Sequence, residues 1–126
     1  MDAAGFPDWQ AALIAAAETG PAWSALHGDQ VLGCGGVSLI WPGRARCWCV
    51  LTNQIPQHCW VSVHRHVLRL LDQTPALGVR RLEADTALGF AAGSRWLRML
   101  GFEDEGVSRA FGPDGADFRR FARVLT

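Results

Sequence analysis

The stretch RRLEADTALGFAAGSRWLRMLGFEDEG, residues 80–106, indicates the fold of this 126-residue chain more clearly than any other part of it. Alternation of apolar and charged residues predicts a strand over 79–86, with Leu82 and Ala84 on the same face. Apolar residues at helical spacing then predict a helix that is stopped at Gly101. The predicted apolar stripe of this helix consists of Leu88, Ala92, Trp96 and Met99.

The sequence before this stretch predicts further helices and strands. An Ala-rich segment between Asp8 and Gly20 carries the cap and stop signals of a helix. Two strands follow around a turn at 28–29. A third strand, over 46–51, is apolar on both faces, which is typical of a central strand. An amphipathic helix over 60–73 leads into the strand described above.

Together these elements predict one mixed α/β domain over residues 1–126. Their order is a helix, three strands, a helix, a strand, a helix and a closing hairpin over 102–125. The hairpin connections predict antiparallel pairing in the first part of the sheet. The helical crossover predicts that the third and fourth strands are parallel neighbours that splay apart at their C-terminal ends.

Composition and charge exclude several classes of function. Arg and Lys total 12, Asp and Glu total 12, and 49% of the residues are hydrophobic. A neutral chain does not predict a nucleic-acid partner, even though Arg119, Arg120 and Arg123 lie close together near its end. No apolar run is long enough to span a membrane, and no signal peptide is visible. We therefore expect a cytoplasmic protein whose cysteines are reduced.

The motifs RLEA, RWL and LGFEDEG within residues 80–106 resemble the C-terminal half of GNAT-type N-acetyltransferases, and are most similar to short bacteriophage-encoded members. The resemblance covers residues 22–124 and implies a GNAT fold that is truncated at the N-terminus. It also implies an acetyl-CoA-dependent N-acetyltransferase whose acceptor is an unidentified amine or protein. In the family, acetyl-CoA or a related acyl-CoA lies between the third and fourth core strands. The short N-terminal part implies an open acceptor side, or one that a second chain completes as a homodimer.

The resemblance also assigns the co-substrate to particular residues. The pantetheine arm would follow the end of the third strand. The pyrophosphate would lie at the start of the following helix, on the segment HCWVSV at 58–63. The implied cofactor-binding residues are Val50, Leu51, Thr52, His58, Cys59, Trp60, Val61, Ser62 and Arg65.

Two features depart from the family pattern. The family's pyrophosphate loop, of Arg/Gln-x-x-Gly-x-Gly/Ala type, uses glycines to let phosphate approach the backbone, whereas residues 47–66 contain none. The chain also has no tyrosine, and Leu97 occupies the position of the family's general acid. Glu83 and Asp85 remain as candidate bases acting through water, and Ser94 as a weak proton donor. The alternative interpretation of the two carboxylates is a solvated strand face.

Cys47, Cys49, His58 and Cys59 carry ligating side chains, but their spacing matches no known zinc motif. Cysteines on a buried strand usually pack as small hydrophobic residues. We therefore expect no metal site. His64 lies on the apolar side of its helix, which predicts a partly buried, hydrogen-bonded side chain.

The sequence thus favours an N-acetyltransferase but leaves a second class open. The missing glycines and the missing tyrosine are also what a degenerate GNAT domain would show. Such a domain would act as a binding or assembly module, for example in a virion, without catalysis.

Overall fold

The computed structural model describes residues 20–53 and 55–125, and its helices and strands follow the predicted order. A 3-10 turn over Thr74–Leu77 follows the helix at Gln57–Gln73. The predicted helix between Asp8 and Gly20 lies outside the described residues. The described elements are β1 (Ala22–His27), β2 (Gln30–Trp41), β3 (Arg44–Leu51), α1 (Gln57–Gln73), β4 (Arg81–Ala87), α2 (Ala91–Met99), β5 (Glu103–Ser108) and β6 (Phe118–Val124).

The strands form one six-stranded mixed sheet in the order β1-β2-β3-β4-β6-β5. β1, β2 and β3 pair antiparallel, as their tight turns require, and β6 pairs antiparallel with both β4 and β5. β3 and β4 are parallel because α1 carries the chain back across the sheet. The predicted mixed topology and the central position of the third strand are confirmed.

β3 and β4 pair only over their first halves. The paired residues are 44–46 on β3 and 81–83 on β4. β3 continues to Leu51 and β4 to Ala87 without further pairing between them in the described residues. The predicted splay of these two strands is therefore confirmed, and the space between 47–51 and 84–87 is called the gap below.

The hydrophobic core lies between one face of the sheet and the two helices. Ala45 and Leu82 are fully buried beneath the helices, and α1 contributes Val63, Val67 and Leu71. Full burial of a Val or Leu side chain contributes about 1.5–3 kcal/mol to folding. This packing fixes α1 and α2 on the same face, so both helices are held close to the gap. No helix within 20–53 and 55–125 has the length and apolar character needed to cross a bilayer.

Helix α1 begins earlier than predicted. α1 starts at Gln57, three residues before the predicted boundary, with Pro56 as its N-cap at φ −58°. Proline suits a helix entry because it lacks an N–H and its φ is already helical. The shift moves the amino end of the helix away from Trp60, which had been predicted to begin it.

The predicted apolar stripe of α2 is confirmed for Trp96, which packs against the core, and is wrong for its other three residues. Met99 is 67% exposed, Ala92 is exposed, and Leu88 is 44% exposed and lies before the helix. The buried residues of this helix are Gly93 and Leu97. The error arose because the stripe was phased from Leu88, a loop residue.

Candidate functional site

The backbone of β3 presents alternate residues to β2 and to the gap. The Thr52 N–H donates to the Leu32 carbonyl of β2 at 2.9 Å. Because main-chain groups alternate sides along a strand, Val50 also faces β2, whereas Leu51 faces the gap. Of the three residues expected along the pantetheine arm, Leu51 is therefore the one whose N–H and C=O point where a ligand would lie.

The amino end of α1 lies beyond the end of β3 and offers main-chain donors. No side chain caps this end, and its first turn contains no acidic residue. The Cys59 N–H already donates to the Pro56 carbonyl at 2.9 Å. The first N–H groups of the helix, those of Gln57 and His58, have no carbonyl within the helix to bind. The donors that sequence reasoning assigned to Cys59–Ser62 thus lie inside the helix, and the helix end is one turn earlier.

The predicted side chains of this segment differ in what they can contact. His58, Val61, Ser62 and Arg65 are exposed. The Trp60 ring is half-buried and packs edge-on against Trp96 of α2, with ring centroids 5.7 Å apart and an interplanar angle of 75°. Trp60 therefore ties α1 to α2, while the exposed residues remain available to a ligand.

Glu83 lies where the pairing of β3 with β4 ends, and it is nearly inaccessible to solvent (1% exposed). The Arg44 Nε and Nη2 atoms donate to its carboxylate at 2.7 and 2.8 Å. The Arg81 Nε donates at 3.2 Å, and Arg120 lies 3.6 Å away. We call these four residues the arginine–glutamate vertex. The expectation of a solvated strand face is wrong for Glu83.

The vertex fixes the protonation state of Glu83. Burial alone would raise the pKa of its carboxyl group, but hydrogen bonds from Arg44 and Arg81 outweigh burial and lower that pKa. The carboxylate is therefore ionised at neutral pH, and its oxygens are occupied by guanidinium donors. A group in this state binds the two strands together and accepts a proton poorly.

Asp85 and Ser94, the other two candidate catalytic residues, lie in the gap region. Asp85 belongs to the diverging half of β4, and Arg120 binds it at 3.1 Å, with 8% of its side chain exposed. Ser94 is half-buried in the first turns of α2. This helix sits directly against β4, because a Cβ added to Gly93 would lie 2.9 Å from the Thr86 Oγ1. Ser94 therefore lies on the helix side of β4, whereas the Asp85 side chain lies on the opposite face of the sheet, where Arg120 binds it.

The residue at the family's general-acid position has no access to a ligand. Leu97 is 1% exposed and belongs to the core. His64, on the facing helix, is half-buried and accepts a hydrogen bond from the Trp96 Nε1 at 3.1 Å. The predicted partly buried, hydrogen-bonded state of His64 is confirmed.

The cysteines separate into two environments. Cys47 and Cys49 are buried on β3, and burial raises the pKa of Cys47 to about 12. Cys59 is only partly buried, and its Sγ lies 3.6 Å from the Nδ1 of His27 at the end of β1. Cys47, Cys49, His58 and Cys59 therefore do not form one cluster of ligands. His27 is the functional candidate that sequence reasoning missed, since 31 residues separate it from His58 and no local pattern links them.

The C-terminal arginines form ion pairs with carboxylates of the sheet and of α1. Arg119 binds Asp104 at 2.7 Å, Arg120 binds Asp85, and Arg123 donates to Asp72 of α1 at 2.6 Å. These ion pairs remove the basic patch that three neighbouring arginines would otherwise form.

Solved structures with the same architecture are acetyltransferases. An acetyltransferase from Bacillus subtilis, solved with CoA, matches with a TM-score of 0.74 at 15% identity, covering 93% of this chain and 84% of its own. A GNAT family acetyltransferase from Elizabethkingia anophelis with acetyl-CoA bound matches with a TM-score of 0.75 at 9% identity, covering 92% and 83%.

A ribosomal-protein-alanine N-acetyltransferase from Brucella melitensis matches with a TM-score of 0.73 at 18% identity, covering 92% of this chain and 75% of its own. No protein-family model and no curated protein matches the chain. The chain therefore has the GNAT acetyltransferase fold.

Proposed function

We propose that the protein binds acetyl-CoA, or a related acyl-CoA, in the gap and transfers the acyl group to an amine. The observation that carries this proposal is the divergence of β3 and β4 beyond Arg46 and Glu83, next to the uncapped amino end of α1. A gap between parallel strands can accept an extended amide-bearing chain, and a helix N-terminus favours a phosphate group. The gap and the helix end are close together in the chain, because β3 ends at Leu51 and α1 begins at Gln57.

The residues of the site fit the co-substrate. The Leu51 main chain faces the gap and can pair with the pantetheine amides. The Gln57 and His58 N–H groups, together with the helix dipole, can hold the pyrophosphate. With the helix starting at Gln57, the family loop would fall on 54–59 rather than 58–63. Gln57 and Cys59 would then replace its two small residues, which makes phosphate approach less close and binding weaker.

The transfer itself requires little from the protein beyond holding the amine next to the thioester. The amine nitrogen attacks the thioester carbonyl carbon, the carbon–sulfur bond breaks, and CoA leaves as a thiolate. One proton must leave the amine, and one must reach the thiolate or its surroundings. We assign the first to Asp85 through a water molecule and the second to Ser94, with Glu83 holding the strands in place. Without a tyrosine the rate should be low.

Several narrower predictions accompany this function. A single domain, a cytoplasmic location, bacteriophage-type relatives, a possible homodimer, and no nucleic-acid or membrane partner remain predictions from the sequence. The acceptor class is an amine on a small molecule or a protein.

Acetyl-CoA binding and turnover test the proposal directly. Acetyl-CoA at 100 times its dissociation constant should stabilise the protein by about 2.7 kcal/mol, which raises its melting temperature. Release of CoA thiol should then depend on an added amine. Replacing Leu51 with Pro removes an N–H that faces the gap but none that pairs with β2. This variant should fold and lose both effects. Retention of both would reject the assignment of the gap.

A second candidate is a GNAT-fold binding module without catalysis. It is favoured by the ion pairs of Glu83 and Asp85 and by the buried Leu97 at the general-acid position. Stabilisation by acetyl-CoA without amine-dependent thiol release would support this candidate over the enzyme.

A further inference from the structure

Three metal-ligating side chains meet where the end of β1 approaches the first turn of α1. They are His27 on the strand and His58 and Cys59 on the helix, and one ligand atom from each lies within 4.8 Å of the others. The two imidazole rings contact edge-on, with centroids 5.4 Å apart and an interplanar angle of 71°. Residues from two separate elements therefore direct nitrogen and sulfur donors toward one point.

The spacing of one donor pair matches tetrahedral coordination. Zinc binds sulfur at about 2.3 Å and imidazole nitrogen at about 2.0–2.1 Å, so a tetrahedral angle separates the two donors by about 3.6 Å. The Cys59 Sγ lies 3.6 Å from the His27 Nδ1. The third donor, a ring nitrogen of the exposed His58, lies within 4.8 Å of the other two ligand atoms.

We propose that His27, His58 and Cys59 form a binding site for a borderline or soft divalent transition metal, with Zn²⁺ as the best fit. Two imidazoles and one thiolate are ligands that this class prefers, and hard cations such as Mg²⁺ and Ca²⁺ prefer oxygen. Three protein ligands leave a fourth position for water or another ligand. The site departs from the expectation of no metal, which rested on the buried Cys47 and Cys49.

A metal at this point would link the first hairpin to α1. His27 ends β1, which lies at the edge of the sheet, so the ion would join an edge strand to the helix over the core. Binding to the folded chain alone adds its free energy to stability. The proposal does not depend on acyl-CoA binding, since every ligand is a protein side chain.

Cobalt titration tests the site with a signal that reports its ligands. Co²⁺ added to the reduced, metal-free protein should produce tetrahedral visible bands and a sulfur-to-cobalt charge-transfer band, saturating at one ion per chain. Zn²⁺ should then displace the cobalt and abolish the bands. Cys59→Ser should lose the charge-transfer band, and His27→Gln and His58→Gln should each weaken binding more than tenfold.

Matched variants distinguish the proposed site from other metal-ligating side chains of the protein. Cys34→Ser on β2 and His66→Gln, exposed on α1, should leave the titration unchanged. Circular dichroism confirms that each variant is folded, and all three ligands are at least partly exposed, so their replacement spares the core. Absence of the bands at millimolar Co²⁺ would overturn the proposal and leave a thiol–imidazole hydrogen bond only. Persistence of the charge-transfer band in Cys59→Ser would overturn it as well.

Discussion

The two halves of the contact between β3 and β4 have opposite properties. At the paired end, Glu83 is buried and bound by Arg44 and Arg81, so the strands are closed by charge as well as by backbone hydrogen bonds. At the other end the strands diverge, and the Leu51 main chain faces the gap. The comparison shows how one pair of strands provides both a rigid junction and a binding gap.

The junction, where β3 and β4 are paired, lies at a cluster of charged side chains. The face of the sheet opposite the helices carries the vertex, with its three arginines and Glu83, and also Asp85, which binds Arg120. A third carboxylate, Glu105 of β5, binds Arg81 at 3.0 Å and extends the network to the edge strand. The vertex thus holds β3, β4, β5 and β6 in one arrangement while the gap stays open.

Replacing Glu83 with Gln should have the largest effect. The variant leaves three arginines around a neutral group, and breaking a buried ion pair costs about 3 kcal/mol or more. Urea unfolding should show a loss of that size, whereas Glu103→Gln, exposed on β5, should stay within about 0.5 kcal/mol of the wild type. A small loss for Glu83→Gln would mean that backbone pairing alone closes the junction.

Acid should weaken the same junction in the wild type. Burial would raise the pKa of Glu83, but its arginine partners lower it below the ordinary value of 4.5. A lowered folded-state pKa gives stability that is complete above pH 4.5 and is lost as the pH falls through the folded value. The free energy of unfolding should therefore fall more steeply below pH 4.5 in the wild type than in Glu83→Gln. Parallel profiles would show that Glu83 is not the group responsible.

Charge near the helix end should matter at the open half. Arg65 is exposed two turns after His58, about 10 Å along the axis. Arg65→Glu should weaken CoA binding about tenfold at low ionic strength, or about 1.4 kcal/mol, and less in salt. Arg69→Glu, one turn further on, is the matched control and should weaken binding less. Equal effects of the two substitutions in calorimetry would indicate a general charge effect.

Restoring a glycine should have the smallest effect. Gln57→Gly should tighten CoA binding by less than tenfold, about 1.4 kcal/mol, because phosphate can approach the first N–H groups more closely. Val61→Gly, exposed on the same helix but past its first turn, should leave affinity unchanged. If both substitutions tighten binding equally in calorimetry, helix loosening rather than phosphate approach is the cause.

Elements with strong local signals were predictable from the sequence. The alternation around Leu82 and the gap-forming crossover both followed from periodicity and connection rules, and the structure confirms them. The start of α1 was misplaced because Pro56 permits an earlier entry than the apolar stripe indicates. Helix phase failed at α2 because a loop leucine was counted as part of the stripe.

The candidate site was less predictable because its contacts are distant in sequence. Two of the arginines around Glu83 are distant from it in sequence. Arg44 lies 39 residues before it, and Arg120 lies on another strand. His27 reaches Cys59 across 32 residues. Periodicity reports which face a residue occupies, and it contains no information about which partner lies opposite.

Calorimetric titration of CoA into the wild-type protein tests the central claim, that the gap and the start of α1 bind an acyl-CoA. A chelator should be present so that the His27–His58–Cys59 site does not contribute. We expect one CoA per chain with a dissociation constant tighter than about 1 mM, or about −4.1 kcal/mol. No binding at millimolar CoA, by a protein that unfolds cooperatively, would contradict the account.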